Sequence, residues 1–198
     1  MRRILIALIM VTGLASCAGE PVWAPDEEVS RASFATGGQP MLSLYTVINV
    51  NSGNGGHTAL LISAPSQRVL FDPAGSFNHP RLPERNDVVF GMSDRAVAFF
   101  ADFHSRTSWR VVKQDLPVSP AVAEMALRLA KENGAVPKAF CANATSRLLA
   151  QLPGFENIST TMFPVHLMDN FAEYPVTRVS EYHDDDPDNN GTLRAPAL

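Results

Sequence analysis

The stretch "MLSLYTVINVNSGNGGHTALLIS", residues 41–63, carries the decisive pattern of this chain. Residues 41–50 alternate and are rich in β-branched and aromatic side chains, as a half-buried strand requires. Residues 57–63 form a second short apolar run, and the small residues between the two suit a tight turn. A strand therefore turns into another strand that His57 opens. The glycines before His57 let the backbone bend and leave open space beside the imidazole. Next, "RVLFDPA" (68–74) reads as a third strand, with "APSQ" (64–67) as the hairpin turn before it.

Beyond a loop rich in Pro, Asn and Arg, "SDRAVAFFADFHSR" (93–106) places Val97, Phe100, Phe103 and His104 on one helical face. Phe99, Phe100 and Phe103 read as core first and as an acyl-binding wall only second. "WRVVKQDLPV" (109–118) returns to strand. In "SPAVAEMALRLAKENG" (119–134), Ser119 caps a helix, Pro120 takes its first turn and Asn133-Gly134 closes it. "KAFCANATSRLLAQL" (138–152) gives a helix that starts at Cys141 and ends near Pro153-Gly154. "PVHLMDNFAEY" (164–174) is a short helix, and "VTRVSEY" (176–182) a closing strand. The fold class is α+β, a mainly antiparallel sheet packed against helices.

The ends have a different character. Arg2 and Arg3 precede an apolar run from Ile4 to Val11 and then small residues, the plan of a secretory signal peptide over residues 1–16. "LASC", Leu14 to Cys17, resembles the bacterial lipobox, which implies cleavage before Cys17 and acylation of that residue. Two or more acyl chains anchor a protein stably where one binds marginally. The expected partner is thus a lipid bilayer, with the domain facing the periplasm; Ala18 after the cysteine favours the outer over the inner membrane. Residues 17–40 read as a spacer, 41–182 as the domain, and 183–198 as an acidic tail, expected to be disordered for want of apolar residues. With 16 Lys and Arg against 20 Asp and Glu, the net charge of −4 leaves no electrostatic footprint for nucleic acid. Oligomeric state has no signature here.

If Cys17 carries lipid, Cys141 has no partner within the chain, which has two cysteines. At a helix start, unpaired amides and the helix dipole favour a thiolate. The same position faces inward with Thr145, Leu148 and Leu152, and buried cysteine is also a common small hydrophobe. The residues alone leave both readings open. Among the five histidines His57 stands out as the base, with His79 as a competitor. Asp72, ending the strand paired with that of His57, can orient its ring across the hairpin. Asp72 can instead merely cap an Asp-Pro turn, in which case Asp87 or Asn143 would be the partner. The histidines and cysteines lack zinc-ligand spacing, and no metal or other cofactor is expected.

"GGHTALLI" and "FCANATSRLL" together resemble the circularly permuted NlpC-like, papain-fold thiol hydrolases, a group that includes lecithin retinol acyltransferase relatives. In that group a histidine opens an early strand and the cysteine opens a later helix. The likeness spans residues 41–152, with Phe140 where the group often has Asn. It implies a papain-like domain in which Cys141 is the nucleophile, His57 the base and a thioester the intermediate. The Cys141 amide would supply part of an oxyanion hole, with Tyr45, Ser76 and Asn143 as candidates for the remaining oxyanion or substrate contacts. The implied substrate is a cell-wall (peptidoglycan) peptide, or an acyl-lipid as the second class. The rival account is a non-catalytic envelope lipoprotein, a binding or scaffolding module with an inert cysteine.

Overall fold

Strand β1 (Met41–Asn49) is the spine of the sheet, because it pairs along its length with a strand on either side. On one side lies β2 (Gly55–Ser63), in register from Met41↔Ser63, with a bulge between Val47 and Ile48 that ends the pairing at Gly55. On the other lies β6 (Trp109–Pro117), from Met41↔Pro117 to Asn49↔Trp109. Adding β3 (Arg68–Phe71), β4 (Glu84–Arg85), β5 (Val88–Phe90) and β7 (Arg178–Tyr182) completes one antiparallel sheet, in the order β4-β5-β3-β2-β1-β6-β7. The structure, a computed structural model, describes residues 19, 21–193 and 195–198. The expected signal peptide and Cys17 lie outside the described residues.

Side chains alternate between the sheet's two faces, and each face has its own helices. Leu42, Leu44, Leu60 and Ile62 join a core with α3 (Pro120–Glu132), α4 (Cys141–Leu149) and α5 (Pro164–Ala172). Tyr45, Val47, Ala59 and Leu61 face α2 (Asp94–His104). The phenylalanines of α2 are core rather than an acyl wall: Phe99, Phe100 and Phe103 surround Phe77 with ring centroids 5.1 to 5.5 Å away. Ser93 caps α2, accepting from the Ala96 N–H, and Ser119 caps α3, accepting from the Val122 N–H. Among the described residues, no helix is long and apolar enough to cross a membrane.

Two regions differ from the sequence expectation. The loop after β3 contains the β4–β5 hairpin, whose turn residues Asn86 and Asp87 hold φ of 44° and 66°. Asn and Asp tolerate that left-handed region, and two such residues fit a two-residue hairpin turn. The acidic tail, expected to be disordered, lies against the domain. Asp186 pairs with the buried Arg106 at 2.9 Å and accepts the Thr107 N–H at its carbonyl; Leu193 and Leu198 pack against the α2 core. The interactions that offset the tail's ordering entropy are thus a buried guanidinium and the packing of two leucines of the tail. Part of the spacer is also ordered, since residues 22–24 run beside β4 and the short helix α1 (Asp26–Arg31) follows.

Candidate active site

β3 covers β2 only from Leu60 to Ser63, so the opening residues of β2 have an uncovered edge. The site is built there. The chain leaves β3 at Asp72, whose N–H donates to Asp87 O at 2.8 Å and whose carbonyl accepts the Gly75 N–H at 3.0 Å. That turn leaves the buried Asp72 carboxylate free to face the α2 side of the sheet, as His57 does. Asp72 Oδ1 lies 2.6 Å from His57 Nε2. Both readings of Asp72 hold at once: its backbone makes the turn and its side chain holds the ring.

Cys141 arrives from the other side. The chain reaches it through Ala139, at φ of 70°, and Phe140, which makes no side-chain cap. The thiol lies near the His57 ring and the backbone N–H groups of Thr58 and Ala142, each of which lowers its pKa. Thr58 can donate because no strand covers that stretch of β2 edge. With Nε2 taken by Asp72, Nδ1 is the ring nitrogen left for the sulfur.

The electrostatics follow from this arrangement. Burial disfavours a charged His57, but the charge and hydrogen bond of Asp72, aided by Cys141, outweigh it and raise its pKa to about 10. For Cys141, burial pushes the thiol up; the hydrogen bond and charge of His57, with the two amides, outweigh burial and bring it below the ordinary value. Both shifts favour a thiolate–imidazolium pair near neutrality.

Close packing keeps Asp72 in place. A Cβ on Gly75 would stand 1.9 Å from Asp72 Oδ2 and 2.6 Å from Oδ1. Gly75→Ala is therefore expected to displace the carboxylate and slow alkylation of Cys141 at neutral pH about tenfold, the equivalent of one pKa unit. Stopped labelling of the folded variant, with circular dichroism to confirm its fold, measures this; an unchanged rate would show that the carboxylate does not act on the thiol.

Other sequence candidates lie elsewhere. Tyr45 does not reach the thiol: its ring meets Phe100 edge-on at 5.1 Å, and its hydroxyl is buried near Asp115, Tyr182 and Arg68, away from the His57 end of the sheet. Its parity on β1 sends it under α2 instead. Asn143 is two residues past Cys141, about 200° around the helix, and is not the ring's partner; its carbonyl accepts from Ser146 Oγ at 3.1 Å. Asp87 accepts the Val136 N–H at 2.7 Å and so anchors the loop before α4. His79 bonds Pro196 O and the Arg81 N–H, remote in role from the thiol. Ser76 does border the site. The loop Ala74–Ser76 separates a groove of about 680 Å³, lined by Asp87, Val136, Lys138 and Phe140, from a cavity of about 250 Å³ beside His57.

The sequence reading missed the neighbour of the histidine. His104 stacks on His57 with centroids 5.7 Å apart and planes at 15°. Burial and the His57 charge lower its pKa to about 4, so it stays neutral. The available signal was an imidazole on an otherwise apolar helix face. Carboxylate oxygens of Asp102, Asp184 and Asp186 also lie within 4.8 Å of one another. The charge they meet is Arg106, 2.9 Å from Asp186 and 3.6 Å from Asp102.

No family model, curated protein or solved structure matches this chain.

Proposed function

We propose that this protein is a cysteine hydrolase or acyltransferase acting on an amide or ester bond, with a cell-wall peptide as the favoured substrate class. Its architecture would be a permuted papain-like one, tethered to the envelope through acylated Cys17. The observation that carries the reading is the convergence of three side chains from separate elements. Asp72 sits 2.6 Å from one nitrogen of His57, and the ring also meets Cys141 at the start of α4.

The chemistry follows from that geometry. The Cys141 thiolate attacks the carbonyl carbon, and a C–S bond forms as the carbonyl electrons move to oxygen. Amides at the start of α4, with Thr58 N–H beside the sulfur, are the donors positioned for that oxyanion. The His57 imidazolium gives its proton to the leaving amine or alkoxide as the C–N or C–O bond breaks. A water or other acceptor then loses a proton to His57 and cleaves the thioester, which restores the ion pair. Asp72 remains ionised throughout and holds the ring.

Iodoacetamide labelling of a full-length Cys17→Ser chain tests this, because Cys141 is then the only thiol. Rapid modification at neutral pH is expected, slowed about tenfold or more by His57→Ala. The binding-module account draws support from the sulfur's low exposure, since Cys141 is only 6% accessible. Slow labelling of the native chain, becoming fast on unfolding, would select that account and remove the enzyme.

A further inference from the structure

His104 is buried beside the thiol pair but has no part in it. His79, also buried, has both ring nitrogens engaged, whereas His104 engages one: its Nδ1 lies 3.0 Å from Phe100 O. A carbonyl only accepts, so Nδ1 carries the proton and Nε2 keeps a lone pair. Among the described residues Nε2 has no hydrogen-bond partner. The side chain is 7% exposed, and what exposure it has opens on the cavity of about 250 Å³ that it lines with Gly56, His57, Ser76 and Trp109. Trp109 forms a wall there, lying so close over Gly56 that a Cβ would stand 2.5 Å from its ring. His104 thus lines, with Trp109, an open cavity that borders the ring that would activate an acyl acceptor.

We infer that this cavity is the acceptor site of an acyl transfer, that the acceptor is a primary amine, and that His104 Nε2 accepts one of its N–H groups. The inference rests on the thioester chemistry proposed above and assigns its second half. An acceptor serving both rings must carry two protons on its attacking atom, one lost to His57 and one held by His104. A primary amine has two; an alcohol has one. Water also has two, and the cavity of about 250 Å³ leaves room for a larger acceptor than water. In the step itself the amine nitrogen bonds to the acyl carbon, the C–S bond to Cys141 breaks, and a proton passes from nitrogen to His57. An amide leaves, and the thiolate again faces an imidazolium.

The full-length Cys17→Ser chain, acetylated with p-nitrophenyl acetate, provides the test. The expected result is a burst of nitrophenolate, followed by deacylation that glycinamide accelerates in a saturable way with N-acetylglycinamide as product, while ethylene glycol has little effect. His104→Phe keeps an aromatic ring among Phe100 and Phe103 and removes the lone pair. It should lower amine partitioning about tenfold, the worth of one hydrogen bond, and leave iodoacetamide alkylation of Cys141 within about twofold of the parent. Unsaturable glycinamide, equal use of the glycol, or unchanged partitioning in the variant would overturn the acceptor site and leave the thiol hydrolase standing. Alkylation falling in step with partitioning would make His104 a positioning residue and overturn it too. Absence of both the burst and rapid alkylation would instead remove the enzyme reading beneath it.

Discussion

Cys141→Ser is expected to abolish turnover, by about four orders of magnitude or more, while leaving the fold intact. Loss of a covalent nucleophile that works as a unit with its base costs on this scale in other triads. A serine hydroxyl is close in size to the thiol, so the apolar contacts of α4 with the sheet are retained. What disappears is the anion: an alcohol does not ionise at neutral pH beside His57, whereas the thiol is already lowered by that ring and by the Thr58 and Ala142 amides. The nitrophenolate burst described above measures the effect. A burst of undiminished amplitude in the serine variant would place the nucleophile elsewhere. Equal melting temperatures for the two chains would separate chemistry from folding.

Asp72→Asn is expected to have the second largest effect, about a thousandfold on turnover, somewhat below the roughly ten-thousandfold loss seen when a triad's carboxylate becomes an amide. The amide keeps the shape but not the charge. His57 is held up to about 10 chiefly by the Asp72 charge and hydrogen bond acting against burial. Without them burial prevails, the imidazolium is lost, and the thiol loses the charge that lowers it. The sign of the stability effect follows. A folded-state pKa raised above the unfolded value of 6.5 stabilises fully below that value, and the contribution disappears as pH rises through about 10. The His57 contribution is therefore lost between about pH 6.5 and 10, while the lowered Cys141 thiol acts with the opposite sign up to its ordinary value of 9.0. The parent chain should lose melting temperature mainly between about pH 9 and 10, and Asp72→Asn should lose less. Parallel pH–melting curves for the two chains would mean that Asp72 holds no charge on His57.

Much of this arrangement was legible in the residues because its parts are periodic. β1 alternates, β2 is an apolar run bounded by small residues, and α3 repeats its apolar positions around a capped start. His57 and Cys141 were legible because each opens such an element, and Asp72 because it ends the strand that pairs with β2. The β4–β5 hairpin was not, since strands of two and three residues are too short to show a period. Nor was the ordering of the tail, which depends on Arg106, 80 residues before Asp186. Tyr45 was misplaced for a related reason. Alternation says that β1 has two faces, but only packing decides which lies under α2, and the same packing brings His104 onto His57.

The central claim is that folding makes Cys141 an anion paired with His57. Thiolate absorbance near 240 nm, titrated in full-length Cys17→Ser chains with and without Cys141→Ala, tests it most directly. A difference signal already present near neutrality, well below the ordinary thiol value of 9.0, and shifted upward by His57→Ala, is the expected result. A signal that appears only at or above that value, indifferent to His57, would contradict the account.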